Sequence, residues 1–169
     1  NIDGYSFERR LLILDFKKCH FVAISKSGET SETLFQLAHI LQMLQKKKLI
    51  PRNHVSIITE DKLSSLRNLG NEFDLPWLPV PQDVGGRFSV FSNVGLAPLL
   101  WAGVPIKKLL QGASTVSKRR DLVGALAHYF LQGLNRQEWI SVFWFYVDDL
   151  RTFGLWLEQL WAESLAPAD

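Results

Sequence analysis

Two short apolar runs on either side of an amphipathic helix constrain the fold of this chain most. The runs lie at residues 20–24 (HFVAI) and 55–59 (VSIIT). Between them, leucine and alanine recur from Leu34 to Leu44 at the spacing of one helix face, and Pro51 ends the pattern. A strand, a helix and a strand with short links form a βαβ unit, in which the two strands are parallel. The sequence therefore predicts a parallel sheet.

Strands and helices continue to alternate along the rest of the chain. Helices are predicted at 62–69, 90–101, 105–111, 115–134 and 149–165. Gly70 is the expected C-cap of the first of these helices. Two more strands are predicted, an edge-like one at 77–80 and one rich in β-branched and aromatic residues at 139–146. This alternation predicts an α/β fold, a three-layer αβα sandwich with a mainly parallel sheet.

Composition excludes several classes of protein. Hydrophobic residues make up 47% of the chain and aromatic residues 12%, as in a folded domain. The net charge of +2 is too small for a nucleic-acid surface, and no apolar run approaches the roughly 18 residues of a membrane span. Cys19 is the single cysteine, which excludes an internal disulfide framework and indicates a reducing, cytoplasmic setting. The four histidines have no partners at metal-ligand spacing, so no metal site is predicted.

A hydroxyl-rich turn, residues 25–33 (SKSGETSET), joins the first strand to the first helix of the βαβ unit. Ligands of α/β folds bind at such junctions. The side chains of Ser25, Ser27 and Thr30, with free N–H groups at the positive helix end, could surround a phosphate. An ordinary capping box, Ser27 or Thr30 with an acidic residue soon after it, accounts for the same letters. The local pattern leaves both interpretations open.

A glycine pair followed by an arginine opens the segment 84–96 (VGGRFSVFSNVGL). Gly85 and Gly86 permit a sharp turn and a close approach of the backbone to a bound group. Arg87 is a permanently charged fork suited to an anionic oxygen. The alternative is a structural arginine that bridges the loop to a carboxylate. Its place after two glycines at a sheet edge favours contact with a substrate.

Glu163 lies in the last predicted helix, close to an apolar stripe. The stripe consists of Phe153, Trp156, Leu157, Leu160 and Trp161. Glu163 projects about 90° from the centre of the stripe, near Trp156, whereas Glu158 points away. A carboxylate partly desolvated beside an indole suits a general base at neutral pH. The alternative is a solvent-facing glutamate near a helix end.

Three segments together resemble the phosphoglucose isomerase family. Residues 25–33 resemble the sugar-phosphate loop of sugar isomerase (SIS) domains, and residues 84–96 resemble the signature of the family. Residues 159–164 (QLWAES) resemble the helix that carries its catalytic glutamate. The segments occur in the order of the family and at plausible spacings, so the resemblance covers nearly the whole chain.

The resemblance implies an SIS-like fold and a reaction of glycolysis and gluconeogenesis, the reversible isomerisation of glucose 6-phosphate and fructose 6-phosphate through an enediol. Glu163 would move the proton, and Arg87 would stabilise the enediolate. The other site residues that the resemblance implies are Gly85 and Gly86 in the substrate loop and Ser25, Lys26, Ser27 and Thr30 around the phosphate. Proton transfer between adjacent carbons requires no redox or metal cofactor.

The resemblance also implies a cytoplasmic homodimer that binds a sugar phosphate and neither nucleic acid nor membrane. The ring-opening histidine and a late lysine of the family would follow Asp169, and its glycine-rich first strand would precede Asn1. Residues 1–169 are therefore expected to be part of a catalytic region that is incomplete at both ends. A non-catalytic sugar-phosphate-binding SIS module and an inactive fragment stay open as alternatives.

Overall fold

The computed structural model describes residues 3–165, and the chain divides into two compact units, Asn1–Ala102 and Gly103–Asp169. The first unit contains three parallel strands in the order β1-β2-β3. They are β1 (Phe21–Ile24), β2 (Val55–Glu60) and β3 (Trp77–Val80). The predicted parallel sheet is confirmed, with β3 at an edge, where a strand tolerates a proline such as Pro79.

Helices lie on both faces of this sheet. They are α1 (Gly4–Leu12), α2 (Ser31–Lys46), α3 (Ser65–Glu72) and α4 (Asn93–Trp101). On one face, Ile57 of β2 belongs to a buried core with Leu41 of α2 and Leu66 of α3. On the other face, Ser56 shares a 2.8 Å hydrogen bond with His20, whose ring contacts Trp101 of α4. The predicted three-layer α/β arrangement is thereby confirmed.

Gly70 does not cap α3, contrary to the prediction. The helix continues to Glu72, and Phe73 is its C-cap. A Cβ atom at Gly70 would collide with Cδ1 of Ile57, which is fully buried. The glycine therefore serves close packing of the helix on β2, and a C-cap signal in the sequence cannot be told from this use of the same residue.

The second unit contains α5 (Ile106–Ser117), α6 (Arg120–Asn135) and α7 (Arg151–Leu165). The strand predicted at 139–146 is wrong, since this segment has no regular secondary structure. Its rings pack against helices instead: Phe143 lies 5.2 Å from the Trp161 ring, and Phe145 lies 5.9 Å from Phe153. The composition suits a pleated sheet, but a strand also needs a neighbour to hydrogen-bond with, and none is found in the described part of this unit. Along residues 3–165, no helix has the length and apolar character that crossing a bilayer requires.

Candidate functional site

A cluster of hydroxyl groups lies where β1 leads into α2. Ser25 is only 5% exposed, and its Oγ lies 2.8 Å from Oγ1 of Thr30 and 3.5 Å from Oγ of Ser27. The same Ser25 oxygen accepts a hydrogen bond from the N–H of Gly28 at 3.1 Å. The three hydroxyls therefore converge at the N-terminus of a 16-residue helix, the end with positive electrostatic potential.

The capping box, the alternative to a ligand-binding turn, is not formed. Thr30 occupies the N-cap position of α2, but its side chain makes no capping hydrogen bond and its hydroxyl contacts Ser25. The Ser27 hydroxyl accepts a hydrogen bond from the N–H of Glu29 at 3.1 Å within the turn, and the Glu29 side chain is bonded to Ser65 at the start of α3. Thr30 thus leaves the N–H groups of the first turn of α2 without a side-chain cap.

Gly28 lets the turn approach α3 closely. Its φ of +72° is in the left-handed region, which disfavours any other residue, and an added Cβ would collide with the Ser64 side chain. The Gly28 carbonyl accepts a hydrogen bond from the N–H of Leu66 at 3.0 Å. The turn is therefore fixed to the first residues of α3 by backbone contact.

Glu29 is held by the same helix. Both the N–H and the hydroxyl of Ser65 donate to its carboxylate at 2.7 Å. The side-chain hydrogen bond, the backbone hydrogen bond and the charge of Lys62 together lower the pKa of Glu29, although some desolvation opposes them. The ionised carboxylate is thereby engaged with α3.

Lys26 reaches across the carboxyl ends of the other two strands. Its Nζ donates to the carbonyl of Gln82 at 3.0 Å and lies 3.4 Å from Oε1 of Glu60, the last residue of β2. Glu60 is 7% exposed, and its other oxygen lies 2.6 Å from Nζ of Lys62. The hydrogen bond from Lys62 is the main cause that lowers the pKa of Glu60, with smaller contributions from Lys26, and desolvation opposes them.

The glycine-arginine loop follows β3 and so begins, like the hydroxyl turn, at the carboxyl ends of the parallel strands. Gly85 has a φ of −61°, and Gly86 begins a 3-10 helix that extends to Phe91, so the turn uses no left-handed glycine here. A Cβ at Gly86 would meet nothing within 4 Å, which leaves open space beside the loop. Arg87 is half-buried, with its guanidinium 5.0 Å from the centre of the Phe88 ring. The hydroxyl of the buried Ser89 donates to the Gly86 carbonyl at 2.6 Å and holds the 3-10 turn.

Glu163 lies on α7 in the second unit. Its Oε1 accepts a hydrogen bond from Nε2 of Gln159 at 2.9 Å. The side chain is exposed, so the expected partial desolvation beside Trp156 is not provided by the described residues of this unit. Glu158 is exposed as predicted, but it also lines a hollow of about 640 Å³ together with Arg151 and other residues.

The structure therefore places two of the three predicted segments at the carboxyl ends of the strands. The hydroxyl cluster and the glycine-arginine loop both follow strands of the first unit, whereas Glu163 belongs to the second. Sequence reasoning missed the contributions of Glu60, Ser65 and Gln82. Glu60 carried a signal, since an acidic residue at the end of a buried strand needs a partner. The contacts of Ser65 and Gln82 carried none, because they join positions 36 and 56 residues apart.

Comparisons with known proteins show the family of the chain. The family described as "Phosphoglucose isomerase" matches residues 1–162. A probable glucose-6-phosphate isomerase of Methanococcus maripaludis is 38% identical over 90% of this chain and 36% of its own length. The glucose-6-phosphate isomerase of Methanocaldococcus jannaschii is 36% identical over 97% of this chain and 43% of its own length. The chain thus spans well under half of the length of these relatives.

Solved structures give the same result for the fold. A hypothetical protein from Thermus thermophilus has a TM-score of 0.86 and 34% identity, and the match covers 100% of this chain and 42% of that chain. A glucose-6-phosphate isomerase from Chlamydia trachomatis has a TM-score of 0.51 and 29% identity over 56% of this chain and 18% of that chain.

Proposed function

Because the chain belongs to the phosphoglucose isomerase family, we propose that it forms part of an aldose-ketose isomerase that interconverts glucose 6-phosphate and fructose 6-phosphate. The observation that carries this proposal is the 2.8 Å contact between the hydroxyls of Ser25 and Thr30 at the N-terminus of α2. A hydroxyl pair that does not cap its helix is available to an external anion.

The hydroxyl cluster binds the phosphate of the substrate. Each of Ser25, Ser27 and Thr30 can turn its O–H towards a phosphate oxygen, and hydrogen bonds to a charged acceptor are stronger than those between neutral groups. The uncapped N–H groups and the positive end of α2 add to the attraction of a dianion. Since Ser25 is buried and Gly28 fixes the turn, little ordering is left to occur on binding.

Arg87 stabilises the negative charge that develops during the reaction. Removing a proton from the carbon beside a carbonyl produces an enediolate, whose oxygens carry the charge. Because Arg87 is half-buried and its backbone belongs to a 3-10 turn, its guanidinium meets this charge with little reorganisation. The open space beside Gly86 leaves room for the sugar chain close to the backbone.

Glu163 takes the proton from one carbon of the sugar and returns it to the neighbouring carbon. No electron acceptor is needed, because the aldose and the ketose have the same oxidation level overall. The hydrogen bond from Gln159 to Oε1 orients the carboxylate on the face of α7. The exposure of Glu163 within its own unit leaves it accessible to a sugar.

The complete enzyme is a cytoplasmic homodimer, and residues 1–169 form one part of its catalytic region. The support for a larger protein is that the chain covers 36% and 43% of the two archaeal relatives. A second candidate is a module that binds sugar phosphates without turnover. It is favoured by one observation, that the hydroxyl cluster and the glycine-arginine loop both lie in the first unit while Glu163 lies in the other.

Two measurements on the complete protein test the proposal. The first is conversion of fructose 6-phosphate to glucose 6-phosphate, and the second is calorimetric binding of inorganic phosphate and of fructose 6-phosphate. Turnover together with binding supports an isomerase. Binding without turnover selects the non-catalytic module, and the absence of both contradicts each candidate.

A further inference from the structure

The ammonium of Lys26 connects three strand ends of the first unit. Lys26 is the second residue of the turn after β1, its Nζ is 3.4 Å from Glu60 at the end of β2, and it donates to the carbonyl of Gln82 beyond β3. The backbone of Lys26 is also fixed, because its carbonyl accepts hydrogen bonds from the N–H of Glu60 at 3.2 Å and from Oγ1 of Thr59 at 3.3 Å.

Gln82 begins the approach to the glycine-arginine loop. It lies three residues before Gly85, and the loop has a second side-chain anchor at its far end, where Nδ2 of Asn93 donates to the carbonyl of Pro79 at 2.7 Å. Between these two anchors, the Ser89 hydroxyl holds the 3-10 turn from within the loop itself. The Lys26 contact therefore fixes the chain at the entry to the loop, five residues before Arg87.

The charge of Lys26 is already offset. Glu60 is nearly buried and faces two ammonium groups, Lys26 on one oxygen and Lys62 on the other. Among the described residues, both polar partners of the Lys26 ammonium, Glu60 and Gln82, lie outside the hydroxyl cluster. An ammonium paired in this way is a weaker ligand for phosphate than a free one, because moving it to an anion would leave Glu60 partly unpaired.

We propose that Lys26 is a positioning residue for Arg87 and that it supports catalysis by holding the glycine-arginine loop, while the hydroxyl cluster binds the phosphate without its ammonium. This inference rests on the proposed isomerase function. It gives Lys26 a role distinct from the one that the family resemblance implies, and the two roles differ in which kinetic constant a substitution changes.

The decisive variant is Lys26→Met in the complete protein, with Lys26→Arg as the conservative replacement. Loss of the support should lower kcat for fructose 6-phosphate by about tenfold. The reason is that displacing Arg87 weakens its interaction with the transition state more than its interaction with the bound substrate. The inhibition constant of inorganic phosphate should change by less than about threefold. Lys26→Arg keeps a charged donor and should recover most of kcat.

Lys62→Met is the matched control, since it removes the other ammonium from Glu60 and leaves the Gln82 contact in place. It should leave kcat close to that of the unchanged protein. Hydrogen exchange supplies a readout that does not depend on turnover: amides of residues 84–91 should exchange faster in Lys26→Met and not in Lys62→Met, while those of α2 stay protected.

Two results would overturn the inference. A rise of about tenfold in the inhibition constant of phosphate with an unchanged kcat would make Lys26 a phosphate ligand. Unchanged exchange at residues 84–91 would mean that the contact does not hold the loop. If the unchanged protein lacks turnover, the proposed function fails, but the exchange measurement and calorimetric binding of phosphate still decide the role of Lys26.

Discussion

Glu29 and Ser65 form a double hydrogen bond that fastens the hydroxyl turn to α3, with the N–H and the hydroxyl of Ser65 both 2.7 Å from the Glu29 carboxylate. A free carboxylate in the middle of the proposed phosphate-binding turn would repel the phosphate. Here its charge is directed to the N-terminus of α3, where an anion is favourable. Glu29 thus stiffens the turn while its charge is compensated.

The Glu29 contact predicts a pH-dependent stability. Because the pKa of Glu29 is lowered in the folded protein, its contribution is fully present above the pKa of the unfolded chain, near 4.5, and is lost as the pH falls through the folded pKa. Glu29→Gln should therefore lower Tm at pH 7, and the difference from the unchanged protein should shrink at pH 3. Thermal unfolding followed by circular dichroism at both pH values measures this.

Glu72→Gln is the control for that experiment. Glu72 is the last residue of α3, and it is exposed. Its substitution should leave Tm at pH 7 almost unchanged or slightly higher, since an acidic side chain at a helix C-terminus is unfavourable. Equal losses of Tm in the two variants would contradict a specific contribution of the Glu29 contact.

Thr30→Val removes one hydroxyl of the cluster and keeps the side-chain shape. We expect KM for fructose 6-phosphate to rise about tenfold, the equivalent of one charge-assisted hydrogen bond of roughly 1.5 kcal/mol. Thr33→Val is the control, because the Thr33 hydroxyl lies one turn further along α2 and contacts the carbonyl of Ile24. Steady-state kinetics of both variants measure the two KM values. A larger rise in KM for Thr33→Val than for Thr30→Val would contradict the proposed position of the phosphate.

Glu163→Gln removes the proposed proton acceptor and retains the hydrogen-bonding shape. The expected result is a fall in kcat of at least about a hundredfold, the lower range for general-base catalysis. Glu158→Gln, five residues earlier on α7 and also exposed, should leave kcat within about twofold. Identical behaviour of the two variants would remove Glu163 from the mechanism.

Arg87→Lys tests whether the arginine acts on the transition state. Lysine keeps the charge but loses the planar pair of donors, so kcat should fall by about tenfold or more while KM changes little. Initial-rate measurements in both reaction directions separate the two constants. An effect confined to KM would instead identify Arg87 as a ligand of the bound substrate.

Gly28→Ala should destabilise the first unit by about 2 kcal/mol or more, because alanine is strained at a φ of +72° and its Cβ collides with Ser64. Gly86→Ala is the control, since its Cβ has open space and its φ is not in the left-handed region. Urea unfolding of the two variants compares them. A Gly28→Ala protein as stable as the control would mean that the turn relaxes without cost.

The sheet could be predicted from sequence because its signals are local. The apolar run around Ile57, the helical repeat that follows Thr30 and the proline in the edge strand each lie within a few residues of the element they specify. The same local rules failed at 139–146, where aromatic and β-branched residues favour a strand but the fold offers these rings a helical surface. Strand propensity reflects how well side chains suit a sheet, but a strand also requires a neighbouring strand to hydrogen-bond with.

The candidate site was predictable only in part, for a related reason. The hydroxyls of Ser25 and Thr30 are five positions apart, so their convergence follows from the turn itself. The contact of Lys26 with Gln82 depends on how three parallel strands place their ends, which no local pattern records. Sequence therefore indicated which residues are candidates for binding, and the packing of the sheet was needed to find what supports them.

Gly70 links the packing of the core to the turn of the candidate site through helix α3. The absence of a side chain at Gly70 lets α3 pack directly on Ile57. The first two residues of the same helix, Ser65 and Leu66, form hydrogen bonds with Glu29 and Gly28. A methyl group added at Gly70 would collide with Ile57, and any movement of α3 that relieved the collision would also move the residues that hold the turn. The proposed phosphate site would in this way depend on a residue of the core that does not line it.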